Sequence, residues 1–406
     1  MSFPYKLTGA QTELVASAEQ LAGHFAARAT EHDRDGTFPH ENFADLHAAG
    51  FLRLPMPREH GGGGASVLDM THALERLAHG DGSTALVAAM TISLLGRVID
   101  QRAWPAEILA QVCRTLAAEG GTLNTCVTEP ELGSISRGGT PATTAAPVQG
   151  GWLINGRKIF VTGAPAARFF VTAAVLPAHD AAPKGELAQA IVRADAPGLR
   201  LTDTWHDAMS LRSCGNFDVD YTNVFVPDEF VVDRRAIGVP LPPDRRPGAD
   251  GWALTIAAVY LGIGQAACDA AADYANTRTP PSLGRPIAEQ THIQHWLGQM
   301  TVVLEGARAV LYRAAEAWVT RPDLHAEFAP QVALAKHLCT NAACTASETA
   351  LRVAGGFSLT RGLSLERHFR DARAGLFQPP QDDLALGLIG RTALAARRGD
   401  ATSASS

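Results

Sequence analysis

Near the C-terminus a Gln378-Pro379-Pro380-Gln381 segment leads into two adjacent carboxylates, Asp382 and Asp383. Carboxylates that follow a rigid Pro-Pro turn suit general-base work, and an N-cap for a final helix is the plain structural alternative. Upstream, Gly355-Gly356 ends a long helical pattern, and a glycine pair lets backbone approach a ligand closely. Two polar segments, Cys126-Val-Thr128-Glu-Pro-Glu-Leu-Gly-Ser134 and Asn155-Gly-Arg-Lys-Ile-Phe160-Val161-Thr162-Gly-Ala164, offer hydroxyls beside an aromatic side chain. His206 and His368 are acid–base groups by type alone, and a lone histidine is more often a structural hydrogen-bonder. Glu59, Glu75 and Asp81 read as surface or capping carboxylates. The six cysteines are scattered and form no C-x-x-C, so neither a zinc site nor a disulfide frame is expected, and a reduced, cytoplasmic chain is the simplest reading.

Three blocks of sequence must position these groups. Residues 1–120 read as helical. Thr8 and Gln11 are spaced for a capping box, and Leu14, Ala18, Leu21 and Phe25 then share one stripe. Helical patterning returns from Val67 to about Ile99, with a break at Gly80-Asp81-Gly82. Residues 121–239 read as a compact β domain. In it, the run from Trp152 to Val161 is expected to form two strands around an Asn155-Gly156 hairpin turn. Phe217, Val219 and Tyr221 alternate along a strand that ends at Pro227. Residues 240–249 form a Pro-rich linker, and 240–406 read as helix again. Ile293, Leu297, Met300, Leu304, Ala307 and Leu311 repeat at spacings of four and three, the seam of a long bundle helix.

Hydrophobic residues make up 46% of the 406, enough for a sizeable core and incompatible with global disorder. The net charge of −6 argues against a nucleic-acid partner. No apolar run of spanning length is read in the chain, so no membrane partner is expected. No internal repeat and no Rossmann G-x-G-x-x-G is present.

Four motifs in order resemble the acyl-CoA dehydrogenase superfamily over nearly the whole chain. They are the T-E-P-x-x-G-S loop at Thr128–Ser134, the N-G-x-K-x-F segment at 155–164, Met209-Ser-Leu-Arg212 with Asn-Val-Phe-Val-Pro at 223–227, and Gly355-Gly356 followed by Glu366-Arg367-His-Phe-Arg370-Asp371-Ala372. The resemblance implies an α+β, mostly α fold: an N-terminal helical domain, a middle β-barrel-like domain and a C-terminal four-helix bundle. It implies FAD as cofactor, with FMN as the alternative. A flavin needs hydrogen-bond donors at its pyrimidine edge and N5, and a wall against one face. By resemblance, Thr128 serves the pyrimidine edge, Thr162 serves N5, Phe160 and Val161 form the wall, and Ser134 reaches a phosphate. Arg278 matches an arginine for the pyrophosphate of a neighbouring subunit's cofactor, with Gln294, Arg352, Gly355 and Gly356 around it. That sharing implies a homotetramer.

The chain departs from the pattern in two places. The Phe-Gly pair expected shortly after Arg278 is replaced by Pro280-Pro281-Ser282-Leu283-Gly284. The glutamate that removes an α-proton in these dehydrogenases falls on Pro379, and an alternative base position falls near Trp252. Neither residue accepts a proton, which makes Asp382 and Asp383 the candidate substitutes. The implied activity is oxidation of the Cα–Cβ bond of an acyl-CoA or related acyl thioester, with an electron acceptor as partner. Trp205–Asn216 and the Pro-Gln-Asp-Asp ending also resemble a branch of flavin-dependent monooxygenases, whose partner would be a flavin reductase. A catalytically silent flavin-binding scaffold is the third reading.

Overall fold

The computed structural model describes residues 6–132, 139–240 and 250–398, and Thr8 opens its first helix. The Thr8 hydroxyl accepts from the Gln11 amide at 3.2 Å while the Gln11 side chain accepts from the Thr8 amide at 3.0 Å, a closed capping box. Five helices follow one another: α1 (Gly9–Asp35), α2 (His40–Ala48), α3 (Val67–Gly80), α4 (Gly82–Asp100) and α5 (Ala106–Glu119). Asp81 separates α3 from α4 because its carboxylate accepts from the amides of Ser83 and Thr84 and so caps α4.

The middle block is an eight-stranded sheet: β1 (Thr122–Cys126), β2 (Thr144–Val148), β3 (Gly151–Val161), β4 (Ala167–Leu176), β5 (Glu186–Arg193), β6 (Leu199–Thr202), β7 (Phe217–Pro227) and β8 (Val231–Ala236). The spatial order is β6-β7-β3-β2-β4-β5-β8, with β1 pairing β4 in parallel. One expectation fails here. Asn155-Gly156 is no hairpin turn; β3 runs straight through it as one strand. Asn155 instead reaches across to β7, donating to the Asn223 side chain at 3.1 Å and accepting from the Asn223 amide at 2.9 Å. The register against β7 slips between Ile154 and Gly156, and Gly156 lies so close to Thr143 that a Cβ would sit 2.5 Å from its hydroxyl. The glycine marks a bulge and a close approach, a use of Asn-Gly that short-range pattern cannot tell from a turn.

The C-terminal helices are α6 (Leu254–Thr277), α7 (Thr291–Thr320), α8 (Ala329–Ala354), α9 (Leu365–Ala374) and α10 (Asp382–Arg398). The seam of α7 faces inward, with Ile293, Met300, Leu304, Ala307 and Leu311 buried and Leu297 partly so. The fold is thus α+β and mostly α, with helices on either side of a sheet domain. The apolar-run expectation needs correction. Gly82–Asp100 and Gly251–Thr277 are both long and apolar enough to cross a membrane by length and composition, and most of each is buried inside the protein. Their apolarity serves a core shared by α3, α4, α6, α7 and α8. Glu75 is also not on the surface. It is 1% exposed, receives Arg308 Nε at 2.8 Å and accepts from the Tyr312 hydroxyl, joining α3 to α7. Glu59 is exposed, as read.

Helix α9 holds the three blocks together. Arg370 pairs with Asp33 of α1 at 2.6 Å and with Glu366 at 2.6 Å, and donates to the Met209 carbonyl at 3.0 Å. Asp371 accepts from the Leu211 amide at 2.7 Å. Arg367 lies 3.7 Å from Asp81. His368 is buried and held well below its usual pKa by burial and then by Arg367, so it is neutral. Burial pushes the Asp371 carboxyl up to about 7, against the pull of Arg367. Between its ordinary value of 3.8 and about 7 the folded chain keeps this proton and the unfolded chain loses it. The Asp371 contribution to stability is therefore present at low pH and is lost as pH rises through that window. Thermal unfolding of Asp371→Asn should show a flatter fall in stability than wild type between about pH 5 and 7. Parallel profiles for the two proteins would contradict this assignment.

Candidate functional site

The end of β3 is built around a buried ion pair. Lys158 is 0% exposed and its ammonium lies 2.6 Å from Glu129 Oε1. Glu129 also accepts from the amides of Ala142 (2.6 Å) and Thr143 (3.0 Å) and from the Thr143 hydroxyl (2.6 Å). Burial alone would raise the Glu129 pKa; the bonds from Lys158 and Thr143 outweigh it and hold the carboxyl below its usual range. Both residues stand inside quoted motifs, yet sequence reasoning assigned neither a role. Local sequence carries no signal for the pair, because Lys158 directly follows Arg157 and reads as one of two basic residues on a strand. The pair fastens the loop after β1 to β3, and the Thr128 carbonyl completes the tie by accepting from the Ile159 amide at 3.0 Å.

Just beyond, the β3–β7 register slips between Lys158 and Val161, and Phe160 takes a φ of +57°. A bulky residue in that region costs on the order of 1–3 kcal/mol and persists only where its surroundings enforce it. The result is an aromatic ring left 54% exposed, edge-on to Trp205 at 5.7 Å. Val161 does not share the wall. The bulge resets the alternation and turns it inward, where it is 1% exposed within the core of the β domain. Thr162 is mostly buried; its carbonyl accepts from Asn124 Nδ2 at 2.9 Å, and the next amide, Gly163, donates to the Cys214 carbonyl at 2.9 Å. Thr128, partly exposed and tied through its carbonyl to the Ile159 amide, and Thr162 thus stand near Phe160 along a fixed backbone. Ser134 lies outside the described residues.

A second cluster forms where α6 ends. The Arg278 guanidinium lies 4.9 Å from the Phe357 ring centroid, and Tyr274 lies beside the same ring. Phe357 is exposed and follows Gly355-Gly356 directly, with open space around both glycines and Gly355 at a φ of +58°. One chain therefore brings Arg278 and the glycine pair together. The Phe-Gly pair expected shortly after Arg278 is absent, and the aromatic beside the guanidinium is Phe357. Arg352, one turn before the glycines, is exposed and paired with Glu348 at 3.0 Å, on the rim of a polar groove with Trp296 and Gln299. Gln294 is exposed in the first turn of α7, donating to the Ala288 carbonyl at 3.1 Å.

The third cluster is the turn between α9 and α10. Gln378 lies beside the buried Tyr260 of α6, and the Pro379-Pro380 bond is cis. Asp382 and Asp383 lie inside the first turn of α10, so the N-cap position falls on Gln381 and neither aspartate stands at the cap that the sequence suggested. Asp382 faces α8, with Asn341 Nδ2 at 2.9 Å and His337 Nδ1 at 3.1 Å, and Asp383 is exposed. Among the described residues no group of three or more His, Cys, Asp or Glu side chains is placed to hold a metal ion, and all six cysteines are unpaired. His206 is exposed near Asp203, outside these clusters.

Comparison with known proteins accounts for this arrangement. Residues 8–106, 124–224 and 251–393 match the N-terminal, middle and C-terminal domain models of acyl-CoA dehydrogenase. The chain is 36% identical to the "Putative acyl-CoA dehydrogenase YdbM" of Bacillus subtilis (strain 168), across 93% of this chain and 95% of that one. Butyryl-CoA dehydrogenase from Megasphaera elsdenii has the same fold, with a TM-score of 0.82, 24% identity and coverage of 97% of this chain and 100% of that one. FMN-bound TdsC from Paenibacillus sp. A11-2 also shares it, with a TM-score of 0.82, 22% identity and coverage of 95% and 98%. The chain belongs to the acyl-CoA dehydrogenase family, whose cofactor is a flavin. The exposed Phe160 ring near two threonines, and the arginine beside an open glycine pair, fit that group. Arg278→Ala should weaken flavin retention by about tenfold or more, the scale of a lost charge-assisted phosphate contact, and leave the melting temperature of the apoprotein nearly unchanged. Equal flavin retention in the variant would remove Arg278 from the site.

Proposed function

We propose that this acyl-CoA dehydrogenase family member uses FAD to oxidise the Cα–Cβ bond of an acyl-CoA or related acyl thioester, as a cytoplasmic homotetramer that passes electrons to a separate acceptor. The observation that carries the reading is the intact β3 end, where Phe160 is forced into the open beside Thr162 on a backbone locked by Glu129 and Lys158. In this reaction a proton leaves Cα, a hydride leaves Cβ, and the remaining electron pair forms the double bond. The flavin supplies the hydride acceptor. Thr128 and Thr162 orient it, Phe160 shields one face from water, and Arg278 with Gly355 and Gly356 receives the phosphate end from a neighbouring subunit. Exposed Phe377, Leu384, Leu386 and Leu394 on and before α10 support the assembly, as apolar surface that a neighbouring subunit would cover.

The α-proton is the weak point. Pro379 stands at the family base position and has no acceptor. Positioned general bases contribute roughly 10²–10⁴-fold, so straight-chain thioesters should react slower by about that factor than in relatives with the glutamate. The same proline favours a second reading, a monooxygenase fed with reduced flavin by a reductase, which needs no α-proton acceptor. One experiment separates them. The purified flavoprotein is mixed anaerobically with a panel of acyl-CoAs, branched and aromatic ones included, and the oxidised flavin band is followed. Bleaching without oxygen is the expected result. No bleaching with any thioester, together with oxygen-dependent product formation on adding a flavin reductase, would replace the first reading by the second.

A further inference from the structure

The strongest unassigned feature is a buried ammonium with no hydrogen bond. Lys336, on α8, is 2% exposed, and its Nζ makes no hydrogen bond among the described residues. The nearest carboxylate is Asp382, whose Oδ1 lies 3.9 Å away. Burial lowers the Lys336 pKa and Asp382 opposes that shift. A buried charge without a partner is strongly destabilising, so this carboxylate is what lets the ammonium stay where it is.

Asp382 is held by more than the lysine. Asn341 donates to Oδ2 at 2.9 Å, and His337 Nδ1 lies 3.1 Å from Oδ1. Lys336, His337 and Asn341 all stand on one stretch of α8, so the carboxylate pins the start of α10 to that helix. Burial would raise its pKa; Asn341 and His337 outweigh burial and keep it below its usual range. A carboxylate so stabilised in its ionised form is a poor proton acceptor. It is also at the N-terminus of a helix, where negative charge is favoured. The turn behind it is short and tied. The Ala385 amide donates to the Gln381 carbonyl at 2.8 Å, and the amides of Gly375, Leu376 and Phe377 bond back into the end of α9. Fixing Asp382 therefore fixes Gln378 and Pro379, four and three residues earlier.

We propose that Asp382 is a positioning residue: with buried Lys336 it forms an ionic latch that sets the Gln378–Gln381 turn against α8, and it does not take the substrate proton. This rests on the proposed function only in assigning that turn to the substrate side of the site.

The test uses Asp382→Asn, Lys336→Met and the double variant, each as the full flavoprotein. Two quantities are read: backbone hydrogen exchange over residues 375–385, and the rate of anaerobic flavin reduction against its dependence on thioester concentration. Asp382→Asn leaves Lys336 uncompensated. It should raise exchange on the order of tenfold and slow the limiting reduction rate by a similar factor, with half-saturation little changed. Removing the stranded charge in the double variant should restore both toward wild type. Unchanged exchange in Asp382→Asn overturns the latch. Reduction that stays as slow in the double variant as in the single, with exchange restored, shows that Asp382 takes the proton and also overturns it. If no thioester reduces wild-type flavin, the proposed function fails, and the exchange comparison alone still decides the latch.

Discussion

The Glu129–Lys158 pair is the constraint on which the candidate flavin site depends. An ion pair inside a protein repays its desolvation only when the remaining lone pairs and protons are also satisfied. Glu129 meets that condition with two backbone amides, one hydroxyl and the ammonium. Those donors come from two places in the chain, residues 142–143 and β3, and Glu129 itself stands in the loop after β1, whose Thr128 carbonyl accepts from the Ile159 amide. Once the loop and the strand are locked together, the following residues have little freedom. The bulge at Ile159-Phe160 and the positive φ of Phe160 then become tolerable, because the pairing of β3 on either side is already determined. The exposed ring, which the proposed function takes as the cofactor wall, is a consequence of that rigidity.

The same logic recurs at the domain level. Helix α9 uses Arg367, Arg370 and Asp371 to reach Asp81, Asp33 and Leu211, which lie in the helical N-terminal block and the β domain. It also carries the chain into the Gln378–Gln381 turn. The joint between domains and the entry to that turn are therefore one element, and Asp382, bonded to Asn341, ties the start of α10 to α8. Buried polar contacts tie separate blocks together at α9 and lock the loop after β1 to β3 within the β domain, while an apolar core runs continuously through the N-terminal and C-terminal helices.

Much of this was legible in the residues. The Thr8 capping box, the Asp81 cap, the α7 seam and the helix–sheet–helix order follow from local pattern, because each is decided by residues within a few turns of one another. The misread features are those decided by distant partners. Asn155-Gly156 has the composition of a hairpin turn, and only β7 and Thr143 make it a bulge. Glu75 stands among polar residues of α3, and its partner Arg308 is over two hundred residues away. Val161 and Phe160 are neighbours, and only the bulge decides that one faces the core and the other the open side. Lys158 and Glu129 were visible as letters of two motifs, but no spacing rule links a loop carboxylate to a strand lysine across the sheet. The contact of Arg278 with Phe357, seventy-nine residues on, was likewise out of reach of local pattern.

The central claim is that a buried ion pair, acting through the backbone of β3, prepares the flavin wall. Calorimetric titration of FAD into apoprotein carrying Glu129→Gln tests it most directly. That substitution keeps the shape and removes the charge, leaving Lys158 buried without a counter-ion. The account predicts flavin affinity reduced by about tenfold or more in protein that still folds, with affinity recovered when Lys158→Met is added. Wild-type affinity in folded Glu129→Gln would contradict it, and the Phe160 wall would then have to stand without the pair.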